Sequence, residues 1–388
     1  MDFLKEFEKF YIEKEVLLSD TFNFKNEDLP VIQTFDELKA GYTFGDMRKV
    51  REKMLDQQLA NISKTIKCRT DFIPYIEPWH CMGVYANAFG CQIKWYDDKD
   101  PDTINVIDKP EEVYDLKPDL QNSELMNMTL DTIKYFQDKV GTGIPITTCD
   151  PNGPLLCASL ILKTDVFLMS LMLNPKEMHR LVDLTTKVFI EFYQKQLDLL
   201  KNPAFPGHCY VFSKNVKGIS VCEDNLPQIS PDIFEEFGVP ALEKIAEKFD
   251  GVYVHSCGNW AHNIDVVLKI KGLKGINFHS SPVEMDPEIV LKKIKQSGKE
   301  ITVFTDFGQA GINWKDNFKD EKDAYTNWFL KKICYDGVPK GVFISTFDNY
   351  PKIAKYGYGF CRENISIEQA SKDYDWIKNE IQKFSVNK

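Results

Sequence analysis

The sequence lacks the signatures of several common protein classes. Its 388 residues contain no G-x-G-x-x-G or Walker A loop, so the phosphate cradle of dinucleotide-binding and P-loop proteins is not indicated. Its longest apolar runs, such as residues 166–173, are too short to cross a bilayer. The net charge is −10, and acidic and basic residues are interspersed without a concentrated basic stretch. These absences argue against a membrane protein and against a nucleic-acid-binding protein.

The chain also lacks any C-x-x-C pair among its 10 cysteines, so neither a zinc ribbon nor a thioredoxin-type redox site is indicated. Residues 1–16 form a charged amphipathic pattern without the apolar core of a signal peptide. We therefore expect a cytoplasmic protein with reduced thiols. Most of the cysteines are expected to be small, buried apolar residues.

What the sequence does contain is an alternation of short apolar, β-branched runs with helical patterns. This alternation predicts a parallel sheet covered on both faces, and seven or eight such units indicate a barrel. We predict an α/β fold, a (β/α)8 TIM-type barrel over residues 66–388, with an N-terminal helical extension over residues 1–65. An open doubly wound sheet is the alternative, but it would usually show a glycine-rich loop after an early strand. The apolar runs are residues 72–77, 144–149, 218–222, 251–255, 275–279, 301–305 and 341–346.

Local signals indicate where two of the helices begin and end. Ser230-Pro231 supplies an N-cap and a proline at the first helical position, and Asp286-Pro287 repeats this start signal. Gly298 predicts the end of the second of these helices. Pro240 falls within the first helical pattern, and we expect it to kink or break that helix.

Polar, titratable side chains follow the predicted strands, which is where the catalytic groups of a barrel lie. We predict that four acids line the pocket and accept protons or bind polar atoms of a substrate. Six further residues are predicted to contact the substrate, three of them as an aromatic wall at the barrel mouth. Each could instead be a cap, a loop residue or ordinary packing. The acids are Glu77, Asp150, Glu223 and Asp224; the contacts are Asn152, Asn225 and His279, with Trp79, His80 and Trp260 as the wall.

The most informative segment is residues 251–260. An apolar strand runs directly into His255, and Cys257 follows two positions later, before Gly258. Residues i and i+2 of extended backbone point to the same face, so the imidazole and the thiolate can converge. Histidine nitrogen and cysteine sulfur are preferred zinc ligands, and catalytic zinc keeps an open position beside three protein ligands. We therefore predict a metal site here; the alternative is a hydrogen-bonded histidine beside a buried thiol.

Three stretches resemble the uroporphyrinogen-decarboxylase superfamily. Residues 229–240 resemble the family's S-P-x-x-F-x-E-F-x-x-P helix, and the H-x-C-G strand that follows resembles the superfamily's zinc-dependent methyltransferases. Residues 71–79, together with Phe89-Gly90, resemble the family's early strand and loop. The resemblance covers roughly residues 65–385 and rests mainly on the paired helix and H-x-C-G motif.

This resemblance implies transfer of a methyl group from a corrinoid protein to a small acceptor, with zinc activating an acceptor thiol. The corrinoid would be bound to a separate partner protein docked over the barrel mouth. The thiol-acceptor enzymes have a third ligand, a cysteine in a C-terminal G-C-G turn, but residues 341–350 contain no cysteine. We predict Asp348 as the third ligand, with Glu223 or Cys361 as alternatives, or no zinc at all. Cys334 falls in a helical pattern and is assigned to the core.

Three other functions are compatible with the sequence. A tetrahydrofolate-linked methyltransferase would keep the acidic pocket but need no metal. A uroporphyrinogen-decarboxylase-like decarboxylase would use Glu77, near the family's catalytic aspartate, but the family's R-Q-A-G-R-Y motif has no counterpart here. A non-catalytic corrinoid-binding barrel would bind the partner without transferring a methyl group.

Overall fold

The computed structural model describes residues 2–307, 318–347, 361–362 and 365–385. The strands are β1 Val31–Ile32, β2 Thr34–Phe35, β3 Gln92–Lys94, β4 Asp102–Ile104, β5 Ile219–Cys222, β6 Val252–His255, β7 Leu273–Ser280, β8 Thr302–Phe307, β9 Val342–Phe347 and β10 Cys361–Arg362. The α-helices are α1 Asp2–Phe22, α2 Phe44–Lys49, α3 Arg51–Thr65, α4 Val84–Asn87, α5 Glu124–Val140, α6 Pro154–Ile161, α7 Thr164–Leu173, α8 Pro175–Leu199, α9 Pro231–Ile233, α10 Val239–Lys248, α11 Ile264–Val267, α12 Pro287–Ser297, α13 Glu321–Ala324, α14 Lys331–Ile333 and α15 Ile367–Ser385.

Six strands form one parallel sheet in the order β1-β9-β8-β7-β6-β5. The last five of these along the chain, β5 to β9, overlap the runs that the sequence predicts between residues 218 and 346. All residues of β5, β6 and β8 are buried, as expected of parallel strands with helices on the outside. The predicted parallel α/β fold is therefore confirmed.

The two predicted runs before β5 are joined to each other by a single backbone bridge between Ile76 and Ile146. Asn152, three residues after the second run, bridges to Cys222 of β5. The backbone nitrogen of Asp71 then donates to the carbonyl of Val31 in β1 at 3.0 Å. These contacts lead from β5 back to β1 in the chain order expected of a TIM-type barrel.

The first strand of the sheet lies upstream of residue 66. Val31 and Ile32 of β1 pair in parallel with Ile344 and Ser345 of β9. The main sheet thus includes residues from the segment that the sequence assigns to a helical extension. The division of the chain into residues 1–65 and 66–388 stays a prediction.

Aromatic side chains fill the interior near the amino-terminal ends of the strands. Tyr253 of β6 packs edge-on against Tyr210, with ring centroids 4.8 Å apart. Phe22, at the end of α1, packs against Phe343 of β9, also at 4.8 Å. Because residues i and i+2 of a strand share a face, His255 projects from the same face as Tyr253. The aromatic packing therefore leaves the carboxyl-terminal strand ends for polar groups.

The predicted helix signals act as expected. The hydroxyl of Ser230 accepts a hydrogen bond from the backbone nitrogen of Ile233, and the carboxylate of Asp286 accepts one from Glu288. Gly298 ends α12 in the left-handed conformation, with φ of 68°. Among the described residues, no helix combines the length and the apolar character needed to cross a membrane.

Pro240 perturbs its helix through a local change of winding. The five residues Phe234–Gly238 form a π-helical segment between α9 and α10, and Pro240 is the second residue of α10. A proline cannot donate the backbone hydrogen bond of a regular α-helix and crowds the preceding turn. A π-helical turn immediately before it accommodates both effects, so the helical path continues.

Candidate functional site

His255 and Cys257 lie at the carboxyl end of β6, and the structure brings their side chains together. The Cys257 sulfur is 3.5 Å from Nε2 of His255 and 3.8 Å from Nε2 of His279 on the neighbouring strand β7. The three ligand atoms lie within 4.8 Å of one another. Both histidines are buried and Cys257 is exposed, so solvent reaches the group from the thiol side. We call these three residues the HCH cluster.

Each histidine of the HCH cluster is oriented by a second polar side chain. Nδ1 of His279 lies 2.7 Å from both carboxylate oxygens of Asp306 on β8. Nδ1 of His255 lies 2.5 Å from Oδ1 of Asn277, whose amide nitrogen donates to a backbone carbonyl of β8 at 2.9 Å. Because a carboxylate and an amide oxygen only accept, each Nδ1 carries the hydrogen. In the neutral form that metal binding requires, each imidazole presents the lone pair of Nε2 towards Cys257.

Asp224 borders the HCH cluster. Its Oδ1 accepts a hydrogen bond from the backbone nitrogen of Cys257 at 2.8 Å and lies 3.7 Å from Nε2 of His255. Its side chain is 24% exposed, whereas that of His255 is 6% exposed. A carboxylate between the cluster and solvent is placed to accept a proton from a bound reactant. The placement of Asp224 thus fits its predicted role.

The charges around the HCH cluster favour a cation. Burial alone would lower the pKa of His255, but the thiolates of Cys209 and Cys257 and the carboxylate of Asp224 outweigh burial and raise that pKa to about 10. Burial also opposes protonation of His279, and the Asp306 carboxylate outweighs it, so the pKa of His279 lies well above its ordinary value. An environment that stabilises a positive imidazolium also stabilises a bound divalent cation.

Glu77 and Asp150, two of the predicted pocket acids, meet at His208. Nδ1 of His208 lies 2.7 Å from Oε1 of Glu77, and its Nε2 lies 3.7 Å from Oδ1 of Asp150. All three side chains are buried, and burial raises the pKa of Asp150 to about 6. Glu77 also borders a cavity of about 110 Å³, together with Trp79 and Arg48. Of these two acids, Glu77 borders the cavity, and Asp150 lies on the other side of the His208 ring.

Glu223 is not part of this pocket. Its two carboxylate oxygens accept hydrogen bonds from the backbone nitrogens of Leu155 and Leu156, at 3.2 and 2.9 Å. It therefore caps the amino-terminal end of α6, and it is only 1% exposed. Because both oxygens face the helix, the predictions of Glu223 as a catalytic acid and as an alternative metal ligand do not fit its position.

The third member of the HCH cluster is His279, which the sequence predicts as a substrate contact. The predicted ligand Asp348 lies outside the described residues. The backbone of Cys361, the other alternative, pairs with that of Thr34 in β2. Cys334 is buried, in agreement with its assignment to the core.

Two residues of the predicted aromatic wall lie in the interior. Trp260 is 0% exposed, and its Nε1 donates to the carbonyl of Ser256 at 3.1 Å. His80 is also 0% exposed, and its ring nitrogens bond to the carbonyl of Arg48 and the hydroxyl of Thr132. Since internal partners occupy these polar atoms, the predicted substrate contacts of Trp260 and His80 do not fit the structure.

The other predicted contacts are divided between the interior and the cavity. The amide nitrogen of Asn225 donates to the carbonyl of Leu155 at 3.1 Å, which is a structural role. Asn152 is 1% exposed and has a buried Oδ1 with no hydrogen-bond partner among the described residues. Trp79 lines the cavity, and its ring centroid lies 5.9 Å from that of His208. Asn152 and Trp79 therefore remain candidates for a ligand contact.

The sequence alone assigns no role to Asn277 and Asp306, which position the histidines of the cluster. Asn277 precedes His279 by two positions on β7, so the period of a strand already puts both on one face. Asp306 directly follows the predicted run 301–305, at the strand end where functional groups are expected. His208 and Cys209 follow Pro206-Gly207 and precede a predicted strand, but their spacing matches no metal-binding motif.

A parallel α/β sheet with titratable side chains gathered at the carboxyl ends of its strands is the architecture of barrel enzymes. Residues 31–200 match the family model for uroporphyrinogen decarboxylase (URO-D). This match includes residues 71–79 and Phe89-Gly90, and the resemblance predicted for the family's early strand and loop is confirmed there. A search of curated proteins finds no match.

Among solved structures, the chain is similar to a methyltransferase from Methanosarcina mazei, with a TM-score of 0.63. The match covers 95% of this chain and 99% of that one, at 16% sequence identity. At such low identity the similarity concerns the fold. It extends over nearly the whole of both chains, in agreement with the barrel architecture.

Proposed function

We propose that this protein is a metal-dependent methyltransferase that moves a methyl group from a corrinoid protein to the thiol of a small acceptor. The observation that carries the proposal is the HCH cluster, in which two imidazole nitrogens and one thiol converge where β6 and β7 end. The family match over residues 31–200 and the fold shared with a methyltransferase support it. The corrinoid partner and the thiol acceptor rest on the motif resemblance alone.

The residues of the HCH cluster fit a zinc ion by their chemistry. They supply nitrogen and sulfur donors, and Asp306 and Asn277 hold both histidines in the tautomer that leaves Nε2 available. Three protein ligands, of which Cys257 is exposed, leave room for a further ligand from solvent. A bound zinc would act as a Lewis acid that lowers the pKa of an acceptor thiol placed beside it.

The remaining chemistry belongs to the side chains around the cluster. Asp224 is placed to accept the proton that the acceptor thiol releases, since its carboxylate borders both His255 and solvent. A corrinoid on the partner would supply the methyl group: the acceptor sulfur would bond to the methyl carbon while the cobalt–carbon bond breaks and leaves its electron pair on cobalt. Asn152, whose backbone bridges to Cys222 at the end of β5, offers a buried amide oxygen for the rest of the acceptor.

The proposal is tested by methyl transfer from methylcobalamin, as a soluble substitute for the corrinoid protein, to 2-mercaptoethanesulfonate. We expect the zinc-loaded protein to methylate the thiol. Cys257→Ala should lower the rate at least about 100-fold, because losing even an outer partner of a metal ligand costs about 10–100-fold.

The matched control is Cys334→Ala, which removes a buried thiol that belongs to no metal-binding group of the described residues. This variant should transfer methyl groups as the wild type does. Equal rates for wild type and Cys257→Ala, or a wild type inactive with this thiol but active with tetrahydrofolate in the absence of metal, would contradict the proposal.

A further inference from the structure

A second group of metal-binding side chains lies beside the HCH cluster. The ligand atoms of His208, Cys209 and Cys222 all lie within 4.8 Å of one another. His208 and Cys222 are buried, with 4% and 3% exposure, and Cys209 is half-buried. We call these three residues the HCC cluster. It is not part of the methyl-transfer proposal.

The backbone before β5 adopts unusual conformations that bring these side chains together. Gly207 has φ of 104°, and a Cβ atom there would lie 2.6 Å from Oγ1 of Thr147, so only glycine fits. Cys209 has φ of 56°, in the left-handed region that costs a non-glycine residue about 1 kcal/mol or more. Such a conformation persists only where the surrounding structure imposes it, and here it accompanies the approach of the Cys209 sulfur to within 4.8 Å of the Cys222 sulfur.

The register of the sheet places the HCC cluster next to the HCH cluster. Cys222, the last residue of β5, pairs with His255, the last residue of β6. Paired residues on neighbouring parallel strands project from the same face, and the strands are about 4.8 Å apart. Cys222 and His255 therefore both project into the space at the carboxyl ends of the strands.

His208 is oriented in the same way as the histidines of the HCH cluster. Its Nδ1 lies 2.7 Å from Oε1 of Glu77, as Nδ1 of His279 lies 2.7 Å from the carboxylate of Asp306. A carboxylate on Nδ1 fixes the ring and directs Nε2 away from itself, an arrangement typical of histidines that bind metals. Nε2 of His208 accordingly faces Asp150, whose Oδ1 is 3.7 Å away.

Asp150 provides an independent indication of a missing partner. Its Oδ1 is buried and has no hydrogen-bond partner among the described residues, and 3.7 Å from His208 is too long for a hydrogen bond. A buried carboxylate oxygen without a partner is unfavourable by itself. A cation held by the neighbouring thiolates and imidazole would supply that partner, whereas a disulfide between Cys209 and Cys222 would leave Asp150 unsatisfied.

We propose that His208, Cys209 and Cys222, with Asp150 as a fourth ligand, bind a second divalent cation beside the HCH cluster. Two thiolates, one imidazole and one carboxylate are a donor set that favours zinc over magnesium or calcium, which prefer oxygen ligands alone. With four protein ligands the site resembles a closed structural site more than a catalytic one.

The test is the zinc content of the purified, zinc-reconstituted protein after removal of loosely bound metal. We expect two zinc ions per wild-type chain and one in each of Cys222→Ala, Cys209→Ala and Cys257→Ala. Cys334→Ala, which alters neither cluster, should keep two. A wild type with one ion that Cys257→Ala removes and Cys222→Ala leaves in place would overturn this inference while leaving the proposed function intact.

A second measurement covers the case in which the Cys222 and Cys209 variants do not fold. Cys257→Ala removes the only thiol of the HCH cluster, so cobalt(II) bound to this variant with a near-ultraviolet sulfur-to-cobalt absorption must have other thiolate ligands. We expect Cys257→Ala to keep part of that absorption. The absorption per chain that remains in Cys257→Ala should be larger than the difference between the wild type and Cys257→Ala. Its complete loss in Cys257→Ala would show that no second thiolate site exists.

Discussion

At the scale of single residues, strand periodicity accounts for part of the HCH cluster and register for the rest. The i, i+2 spacing of His255 and Cys257 places both on one face, and this follows from the sequence. The third member depends on how β6 and β7 pair. His255 lies opposite Asn277, which puts His279 two positions farther along the same face. Because sequence patterns do not specify register between strands, His279 could be predicted as a pocket residue but not as the neighbour of Cys257.

The outer partner of His279 gives a prediction at this scale. Asp306→Asn keeps the size of the side chain but removes the charge that holds Nδ1 of His279. We expect the affinity of the HCH cluster for zinc to fall about 10–100-fold, as for other outer partners of metal-binding histidines. Competition with a chromophoric chelator measures that affinity.

Asp336→Asn is the control, because Asp336 is an exposed acid that pairs with Lys295 on the surface. Zinc affinity should be unchanged in this variant. If Asp306→Asn also binds zinc as tightly as the wild type, the carboxylate has no part in positioning a ligand.

At the scale of helices and strands, the local signals proved more informative than the long-range ones. Ser230, Asp286 and Gly298 start and end helices as expected, because caps and left-handed stops depend on neighbours in the chain. The short strand β1 was not predicted. Its two residues have no periodic pattern, and only their pairing with β9 defines them as a strand.

His80 links two helices and gives a pH-dependent prediction. Its Nδ1 donates to the carbonyl of Arg48 in α2 at 2.6 Å, and its Nε2 accepts from the hydroxyl of Thr132 in α5 at 3.2 Å. Burial lowers the pKa of His80 from 6.5 to about 4. Between these values the unfolded chain binds the proton and the folded one does not, so stability falls as pH drops from about 6.5 to 4. The loss attributable to His80 is about 3 kcal/mol at most.

Urea unfolding at pH 7 and pH 4.5 measures this loss. The free energy of unfolding should depend less on pH in His80→Gln than in the wild type, because glutamine does not titrate. His179→Gln, which alters an exposed histidine, should follow the wild type. If His80→Gln and the wild type lose the same free energy on acidification, His80 is not held neutral by the fold.

At the scale of the whole molecule, the two ends of the sheet interior have different characters. Aromatic side chains such as Tyr253 and Phe343 fill the end near the starts of the strands. Histidines, thiols and carboxylates collect at the carboxyl ends of β5 to β8, where both clusters lie. This division follows from parallel strands, since all their carboxyl ends meet at one side of the sheet.

The general location of the site could therefore be read from the sequence, whereas its composition could not. The strand ends carrying Glu77, Asp150 and His255 were identifiable because each follows an apolar run. Glu223 follows such a run too, yet it turns to cap α6. No apolar run precedes His208, because this residue approaches the site from a turn. Which side chains enter the pocket depends on loop conformations that have no periodic signature.

The central claim is that the HCH cluster binds a metal ion through His279 as well as His255 and Cys257. The most direct test is the zinc content of His279→Ala beside wild type and His179→Ala, with folding checked by circular dichroism. The account predicts that His279→Ala has one zinc ion fewer per chain than the wild type, and that His179→Ala has the full content. A folded His279→Ala protein with undiminished zinc, or a wild type that binds no zinc at all, would contradict it.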